Sequence, residues 1–233
     1  MGFRLGVALF CLLASAAPPD AHKDHPTEPP APVLVNLSMR ATPLELIEEI
    51  GLQTRVPIGI IPGQDANALC RSKSTFVFLG DDPRDALDAI AQQVHFTLNQ
   101  EDGVFVLAAP DVTPHQRDVL DHRFPMYRSG RKSTMQLISA QLSEALWVAF
   151  TKPTAVSYSG RRHHAAGASK ASPHPVLRNV TTQDIAALVV KPAPSGIYLS
   201  RINPSRVDSS DDLKIQFESY GDPSQLKLDM SCR

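Results

Sequence analysis

Three polar residues in the middle of the chain have the types and the spacing of a metal site. His115, Asp118 and His122 are separated by three and then four positions. In a helix over 114–122, the three side chains would share one face and approach a single metal ion. Such a site predicts a small exported metal-dependent hydrolase that uses the second half of the chain. The alternative interpretation is a short solvated helix with a polar face and no bound metal.

A cluster of aspartates offers a second kind of chemistry. Asp81, Asp82, Asp85 and Asp88 lie close together in the sequence, and paired carboxylates are the acid and the base of glycosidases. Asp82, however, directly precedes a proline and has the position of a helix N-cap. The positive end of the helix dipole would favour Asp85. We therefore interpret the cluster as the start of a helix.

The sequence contains none of the common short catalytic or cofactor motifs. A G-x-S-x-G elbow, a phosphate-binding Gly-rich loop, a C-x-x-C pair and an H-E-x-x-H pair are all absent, and each of these motifs meets a geometric need of its reaction. The net charge of −1 gives no electrostatic reason to bind nucleic acid. These observations predict a protein that is not an enzyme, holds no cofactor and does not bind nucleic acid.

The elements that carry these residues follow a pattern of strand, capped helix and strand, which occurs twice within residues 33–109. Thr42-Pro43 and Asp82-Pro83 each place a capping residue before a proline at the first helical position. Apolar residues then recur at helical spacing, and runs of β-branched and aromatic residues flank both helices. The pattern predicts an α+β module with two short helices between small β-sheets.

A family pattern is carried by five segments of this module: Leu37 to Leu44, Gln53-Thr54-Arg55-Val56, Asp82 to Leu87, Val94 to Leu98 and Gly103 to Val106. On these segments, residues 33–109 resemble the secretin and TonB short N-terminal (STN) domain, found in outer-membrane secretins and siderophore transducers. The resemblance implies two helices between two small sheets, a role in docking or signalling, and no catalytic residues. The chain departs from the family at Arg55-Val56-Pro57, where glycine is usual, and in a longer link over 62–74.

Two outer strands of this module are predicted to bind a partner. Strands 56–60 and 104–107 are expected at sheet edges, where main-chain hydrogen bonds can add a partner strand. The predicted partner-binding edge consists of Val104, Phe105, Val106 and Leu107.

The N-terminus has the layout of a secretory signal peptide. An apolar run from Leu5 to Leu13 follows a short charged region, and Ala14-Ser15-Ala16 supplies small residues for cleavage. The run is too short to span a membrane, and no later stretch approaches that length, so we expect no membrane span in the mature chain. We predict a signal peptide over 1–16 with cleavage near Ala16, a Pro-rich leader over 17–32, and a periplasmic or secreted location.

Two cysteines remain in the mature chain after this cleavage. They are Cys70 and Cys232, and an exported protein with two cysteines can form one disulfide. Such a bridge would tie the end of the chain to the first module. Two unpaired thiols are the alternative.

The second half of the chain, residues 110–233, has a less regular pattern. We expect a second, smaller α+β region that ends in a C-terminal β-hairpin. The expected elements are a helix over 134–149, a mobile loop over 159–175, a strand–helix–strand unit that begins at Val176, and a hairpin formed by 213–218 and 226–230.

The leading functional hypothesis is a non-enzymatic exported protein that binds one or more cell-envelope proteins through residues 33–109. One alternative is the metal-dependent hydrolase described above. Another is an envelope module that binds a ligand or peptidoglycan. The sequence does not separate this last alternative from the leading hypothesis, because the two differ only in what is bound.

Overall fold

The computed structural model describes the chain from Leu34 to Tyr220, with gaps. The described residues are 34–65, 67–128, 135–151, 176–192, 195–203, 205 and 207–220. Several predicted features lie outside them, and these are the signal peptide, the Pro-rich leader, the loop 159–175, the strand 226–230 and Cys232. Within the described part of the chain, no helix has both the length and the apolar character needed to cross a membrane.

Nine strands and five α-helices are assigned in the described residues. They are β1 Val35–Ala41, α1 Pro43–Thr54, β2 Ile58–Ile61, β3 Ser74–Gly80, α2 Pro83–Gln93, β4 Thr97–Glu101, β5 Val104–Ala108, α3 Pro114–Leu120, β6 Arg123–Arg128, α4 Met135–Thr151, β7 Val176–Thr181, α5 Thr182–Val190, β8 Gly196–Ile202 and β9 Leu213–Ser219. Short 3-10 turns lie at Ala68–Cys70 and Ser210–Asp212.

Capping residues fix where the helices begin. The Glu45 N–H donates to Thr42 Oγ1 at 3.3 Å, and the Thr42 N–H donates to Glu45 Oε2 at 2.7 Å, which completes a capping box at the start of α1. The carboxylate of Asp82 accepts from the Arg84 N–H at 2.8 Å at the start of α2. Each interaction satisfies an amide that the first helical turn leaves without an intrahelical partner. The predicted caps at Thr42 and Asp82 are therefore confirmed.

The central element is a five-stranded sheet with the order β4-β5-β2-β8-β9. Strand β2 pairs in parallel with β5 on one side and with β8 on the other, while β4 and β9 pair antiparallel at the two ends. Strands from residues 33–109 and from residues 110–233 therefore share one sheet. Two further antiparallel ribbons, β1-β3 and β6-β7, lie outside it.

Alternating residues of the central strands face two hydrophobic clusters. Phe105 and Leu107 of β5 belong to the first cluster, whereas Val104 and Val106 belong to the second. Because successive strand residues point to opposite faces, the two clusters cover opposite faces of the sheet. Helices α1 and α2 supply the first cluster together with β1, and helices α3, α4 and α5 supply the second.

The predicted α+β class is confirmed. Two short helices, α1 and α2, pack between the β1-β3 ribbon and the five-stranded sheet, and the second region adds three helices and a ribbon. The C-terminal strand pair is the antiparallel pair β8-β9. Strand β9 coincides with the first segment of the predicted hairpin, 213–218, and the second segment, 226–230, lies outside the described residues.

The strand predicted as a partner-binding edge lies inside the sheet. Val104, Phe105, Val106 and Leu107 form most of β5, which pairs with β4 on one side and β2 on the other. The second predicted edge, 56–60, overlaps β2 and is also internal. An unbroken apolar run indicates a strand that is covered on both faces, and that property is typical of internal strands.

One glycine makes the pairing of β2 with β8 possible. Gly59 lies opposite Tyr198 in the register, and a Cβ at position 59 would collide with the Tyr198 ring. Tyr198 is fully buried in the second cluster. The absence of a side chain at Gly59 therefore provides the space that this ring occupies.

We expect Gly59→Ala to lower the free energy of unfolding by about 1–3 kcal/mol, because the added methyl group overpacks the core. Urea denaturation at fixed pH measures the change. In a Tyr198→Leu background the same substitution should cost less, since the colliding ring is gone and neighbouring effects are not additive. Equal costs in the two backgrounds would contradict this assignment.

Candidate functional site

The three residues predicted to bind metal do not converge. Helix α3 ends at Leu120, so His122 lies beyond it and does not share a helical face with His115 and Asp118. Asp118 is exposed. Among the described residues, no group of three or more His, Cys, Asp or Glu side chains is arranged to hold a metal ion. These three candidate residues therefore do not form a metal site in the described structure.

The two imidazoles instead pack against an aromatic side chain. The ring centroids of His115 and His122 lie 5.9 and 5.3 Å from that of Phe150 in α4, and His122 also contacts Phe124 at 4.9 Å. Burial lowers the pKa of His122, because a desolvated imidazole disfavours the charged form. We conclude that these histidines help to dock α3 against α4.

The aspartates at the start of α2 form no catalytic pair. Asp82 caps the helix through its carboxylate, and Asp88 accepts a hydrogen bond from Gln92 at 2.7 Å. Asp81 and Asp85 are exposed to solvent. Their placement agrees with the interpretation of this cluster as a helix start.

Free sheet edges are the next candidates for a binding site. An edge strand presents backbone N–H and C=O groups that can pair with another chain, and natural proteins protect such edges with charges, prolines, bulges or covering elements. An edge that lacks all of these devices is therefore a candidate binding site.

Both ends of the five-stranded sheet are protected. The hydroxyl of Ser139 in α4 donates to the Ile215 carbonyl, so α4 covers the outer side of β9. Strand β4 reads Thr-Leu-Asn-Gln-Glu, is largely exposed and ends at the charged Glu101. Neither strand offers an apolar edge.

The β6-β7 ribbon is also protected on both sides. Strand β6 contains Pro125 between two arginines at its ends. Strand β7 contains Arg178 and Asn179, and Asn179 has a positive φ of 52° that interrupts its regular backbone. Proline, charge and a local distortion are three of the devices that prevent edge pairing.

A side chain covers the start of the outer edge of β1, and Arg40 places a charge near its other end. The amide group of Gln53 accepts from the Asn36 N–H at 3.0 Å and donates to the Asn36 C=O at 3.1 Å. Gln53 thus makes the two hydrogen bonds that a neighbouring strand would make. It in turn donates to Glu49 at 2.9 Å, which holds the amide in place.

Strand β3 has none of these devices. Its sequence, Ser-Thr-Phe-Val-Phe-Leu-Gly, contains no charge and no proline. In the described part of the chain it pairs only with β1. Its outward side chains Val77 and Leu79 are 73% and 69% exposed. We therefore identify β3 as the candidate binding edge.

The hydrogen-bond pattern shows which backbone groups of β3 are available. Asn36 lies opposite Leu79, and its backbone groups point away from β3 toward Gln53. In an antiparallel pair, hydrogen-bonded and non-hydrogen-bonded positions alternate. The N–H and C=O groups of Thr75, Val77 and Leu79 therefore point to the outer edge.

A polar groove lies between α4 and β9. It has a volume of about 600 Å³ and is lined by small and charged side chains from both elements. Glu144, Asp211 and Glu218 outnumber Lys214 in this lining, so the groove favours a cationic occupant over an anionic one. The alternative that the chain binds a ligand stays a prediction, and this groove is where such a ligand would bind.

Two glutamates, Glu48 and Glu218, lie where the C-terminal strand meets α1, and neither was singled out in the sequence analysis. Tyr220 packs over Gly51 of α1, and its carbonyl accepts from the Arg55 guanidinium. Burial, with the nearby carboxylates of Glu45 and Glu218, raises the pKa of Glu48 to about 7. Burial also raises the pKa of Glu218 to about 7. The sequence could have indicated the burial of Glu48, because Glu48 follows Leu44 by four positions and so lies on the apolar stripe of α1.

Cys70 forms a disulfide. The other cysteines of the chain, Cys11 and Cys232, lie outside the described residues, so the predicted pairing with Cys232 stays a prediction. We expect a Cys70–Cys232 cross-linked peptide in a non-reduced proteolytic digest analysed by mass spectrometry, and its disappearance after reduction. Cross-linking of Cys70 to any other cysteine would contradict the pairing.

The raised carboxyl pKa values predict a pH-dependent stability. Between pH 4.5, the ordinary pKa of the group, and pH 7, the folded state binds more protons than the unfolded state, so stability falls as the pH rises. We expect Glu48→Gln to raise the free energy of unfolding at pH 8 by roughly 1–2 kcal/mol and to change it little at pH 5. Denaturation curves at both pH values measure the effect.

The exposed Glu144 of α4 provides the control for this experiment. Glu144→Gln should leave the difference in stability between pH 5 and pH 8 unchanged. A Glu48→Gln variant with the same pH dependence as the original chain would show that Glu48 is not the group responsible.

Comparisons with protein-family models, with curated proteins and with solved structures gave no match for this chain. The resemblance of residues 33–109 to the STN domain therefore stays a prediction that depends on the segments quoted above.

Proposed function

We propose that this chain is a non-enzymatic, exported protein-interaction module that binds an extended segment of a cell-envelope protein along β3. The observation that carries the proposal is the unprotected edge of β3 beside the exposed Val77 and Leu79. The STN resemblance implies docking or signalling and so supports the same conclusion. The signal-peptide pattern supports an envelope location.

Strand addition supplies both affinity and selectivity at such an edge. The backbone groups of Thr75, Val77 and Leu79 can form main-chain hydrogen bonds with a partner strand, and these bonds are independent of the partner's sequence. Selectivity then depends on side chains, because residues opposite Val77 and Leu79 would pack against them on the outer face. We therefore expect a partner segment with apolar residues at alternating positions.

The buried face of β3 holds the strand in place for this interaction. Phe76 and Phe78 pack against the first hydrophobic cluster, which contains α1 and α2. A strand that is anchored on one face and open along one edge has little conformational freedom left to lose when a partner binds. The proposal therefore needs no rearrangement of the module.

Lysine at position 77 or 79 should block the partner. Both side chains are exposed, so the fold should tolerate the change, and an edge lysine is a common protection against pairing. We expect Val77→Lys and Leu79→Lys to reduce the partner recovered from envelope extracts about tenfold, which corresponds to about 1.4 kcal/mol. The amides of Thr75, Val77 and Leu79 should also gain protection from hydrogen exchange when the recovered partner is added.

Two other exposed apolar residues serve as matched controls. Leu188 of α5 and Met126 of β6 are 44% and 51% exposed and lie away from β3. Leu188→Lys and Met126→Lys should leave recovery unchanged. Equal recovery with all four variants would contradict the proposal.

A further inference from the structure

The residues on either side of β3 carry opposite charges at equal distances from its centre. Val77 is the middle residue of the strand Ser74–Gly80. Lys73 precedes the strand and Asp81 follows it, each four positions from Val77. Both side chains are exposed. Strand alternation, continued by one residue beyond each end of β3, puts Lys73 and Asp81 on the outer face with Val77, and the long Lys73 side chain also reaches Glu45 of α1.

This arrangement is complementary to itself. When a strand pairs antiparallel with its own copy about a two-fold axis at Val77, position 73 of each copy faces position 81 of the other. Lys73 then lies opposite Asp81 of the second copy, and the same pair recurs at the other end. Opposite charges at facing positions stabilise a strand pair, whereas like charges destabilise it.

The backbone allows the same register. The outer edge of β3 presents the N–H and C=O groups of Thr75, Val77 and Leu79, as derived above from the β1 pairing. In the register centred on Val77, Thr75 faces Leu79 of the second copy, and Val77 faces its own counterpart. Thr75, Val77 and Leu79 thus meet residues whose backbone groups also point to the edge, as the hydrogen-bonded positions of an antiparallel pair require.

Charge selects this register over its neighbours. A shift of the pairing by one allowed step places Lys73 opposite an apolar residue, Leu79, or places Asp81 opposite Thr75. Both Lys73–Asp81 pairs are lost in either case. The first shift also brings Arg71 opposite Asp81, but Arg71 lies beyond Ser72, whose positive φ of 57° interrupts the extended chain, and it is paired with Asp65 in the same copy. The Val77-centred register is therefore favoured over the adjacent ones.

We propose that β3 pairs antiparallel with β3 of a second copy of this chain, in the register centred on Val77. The inference rests on the proposed function, since it uses the same edge and names the occupant when no other partner is present. The two ribbons would form one four-stranded sheet with the order β1-β3-β3-β1. An envelope partner would then have to displace the second copy.

The strand contact alone is small. A seven-residue strand buries much less than the roughly 800 Å² per partner of stable complexes. We therefore expect a weak dimer with a dissociation constant on the order of 100 µM. Sedimentation velocity from about 10 µM to about 1 mM brackets this constant and measures the monomer–dimer equilibrium.

Charge reversal tests the register. We expect Lys73→Glu and Asp81→Lys each to weaken the dimer about tenfold, because each replaces both attractive pairs by repulsive ones. An equimolar mixture of the two variants should regain the original affinity, since every facing pair in the mixed dimer is again of opposite charge. The double variant Lys73→Glu/Asp81→Lys should regain it as well.

An existing contact of Lys73 requires a control. Its Nζ lies 3.3 Å from Glu45 Oε1 within the same copy, so charge reversal also removes that ion pair. Glu45→Gln removes the ion pair alone and should leave the dimer affinity within about twofold, as expected for an exposed pair. The mixing experiment controls for this contact as well, because the Lys73→Glu copy lacks the ion pair both alone and in the mixture, so only the pairs between copies differ.

Hydrogen exchange at Thr75, Val77 and Leu79 separates the possible failures. Protection that rises with protein concentration supports the dimer. A monomer with fast exchange at these amides overturns the inference, yet the proposed function stands if Val77→Lys still reduces partner recovery. Protection that is independent of concentration means that another part of the same chain covers the edge, which overturns both. A dimer insensitive to both charge reversals forms elsewhere and also overturns the inference.

Discussion

The fold depends on the hydrogen bonds that β2 makes along both of its edges. This four-residue strand pairs in parallel with β5 and with β8, and each of its residues is buried. Without the pairing to β8, buried amides and carbonyls of β2 would lack partners, and each such group costs free energy. Gly59 makes the pairing compatible with the core, because it leaves space for the Tyr198 ring. The two halves of the chain are therefore parts of one structure.

The same demand for hydrogen-bond partners explains how the exposed strand edges are protected. Ser139 covers one edge of the central sheet, and the amide of Gln53 completes the outer edge of β1. Both residues come from helices that pack beside the strands they protect. Strand β3 is an exception, because it carries no charge and no side chain from a helix covers its edge in the described structure. Exceptions to a general protective pattern are expected where a protein binds something.

Local features of the fold were predictable from the sequence, whereas pairings between distant segments were not. The caps at Thr42 and Asp82 depend on residues within one helical turn, so their pattern is visible in the sequence. The edge assignment of 104–107 failed because β5 pairs with β2, which is more than 40 residues earlier in the chain, and that of 56–60 failed because β2 also pairs with β8, from the other half of the chain. The metal site failed through a boundary error, since α3 ends at Leu120 and His122 lies beyond it. Gln53 and Glu218 gave no sequence signal, because their roles depend on tertiary neighbours.

The parallel pairing of β2 with β8 also sets an order for folding. Parallel strands need long connections, and contacts between distant residues form slowly because the loop must close first. During synthesis, which begins at the N-terminus, the core around α1 and α2 could form early. The edge of β2 that pairs with β8 would stay open until residues 196–202 had been made. During that interval the protein would have two open edges, at β2 and at β3. The final strand pair thus closes one of them and leaves β3 as the edge that stays open in the described part of the chain.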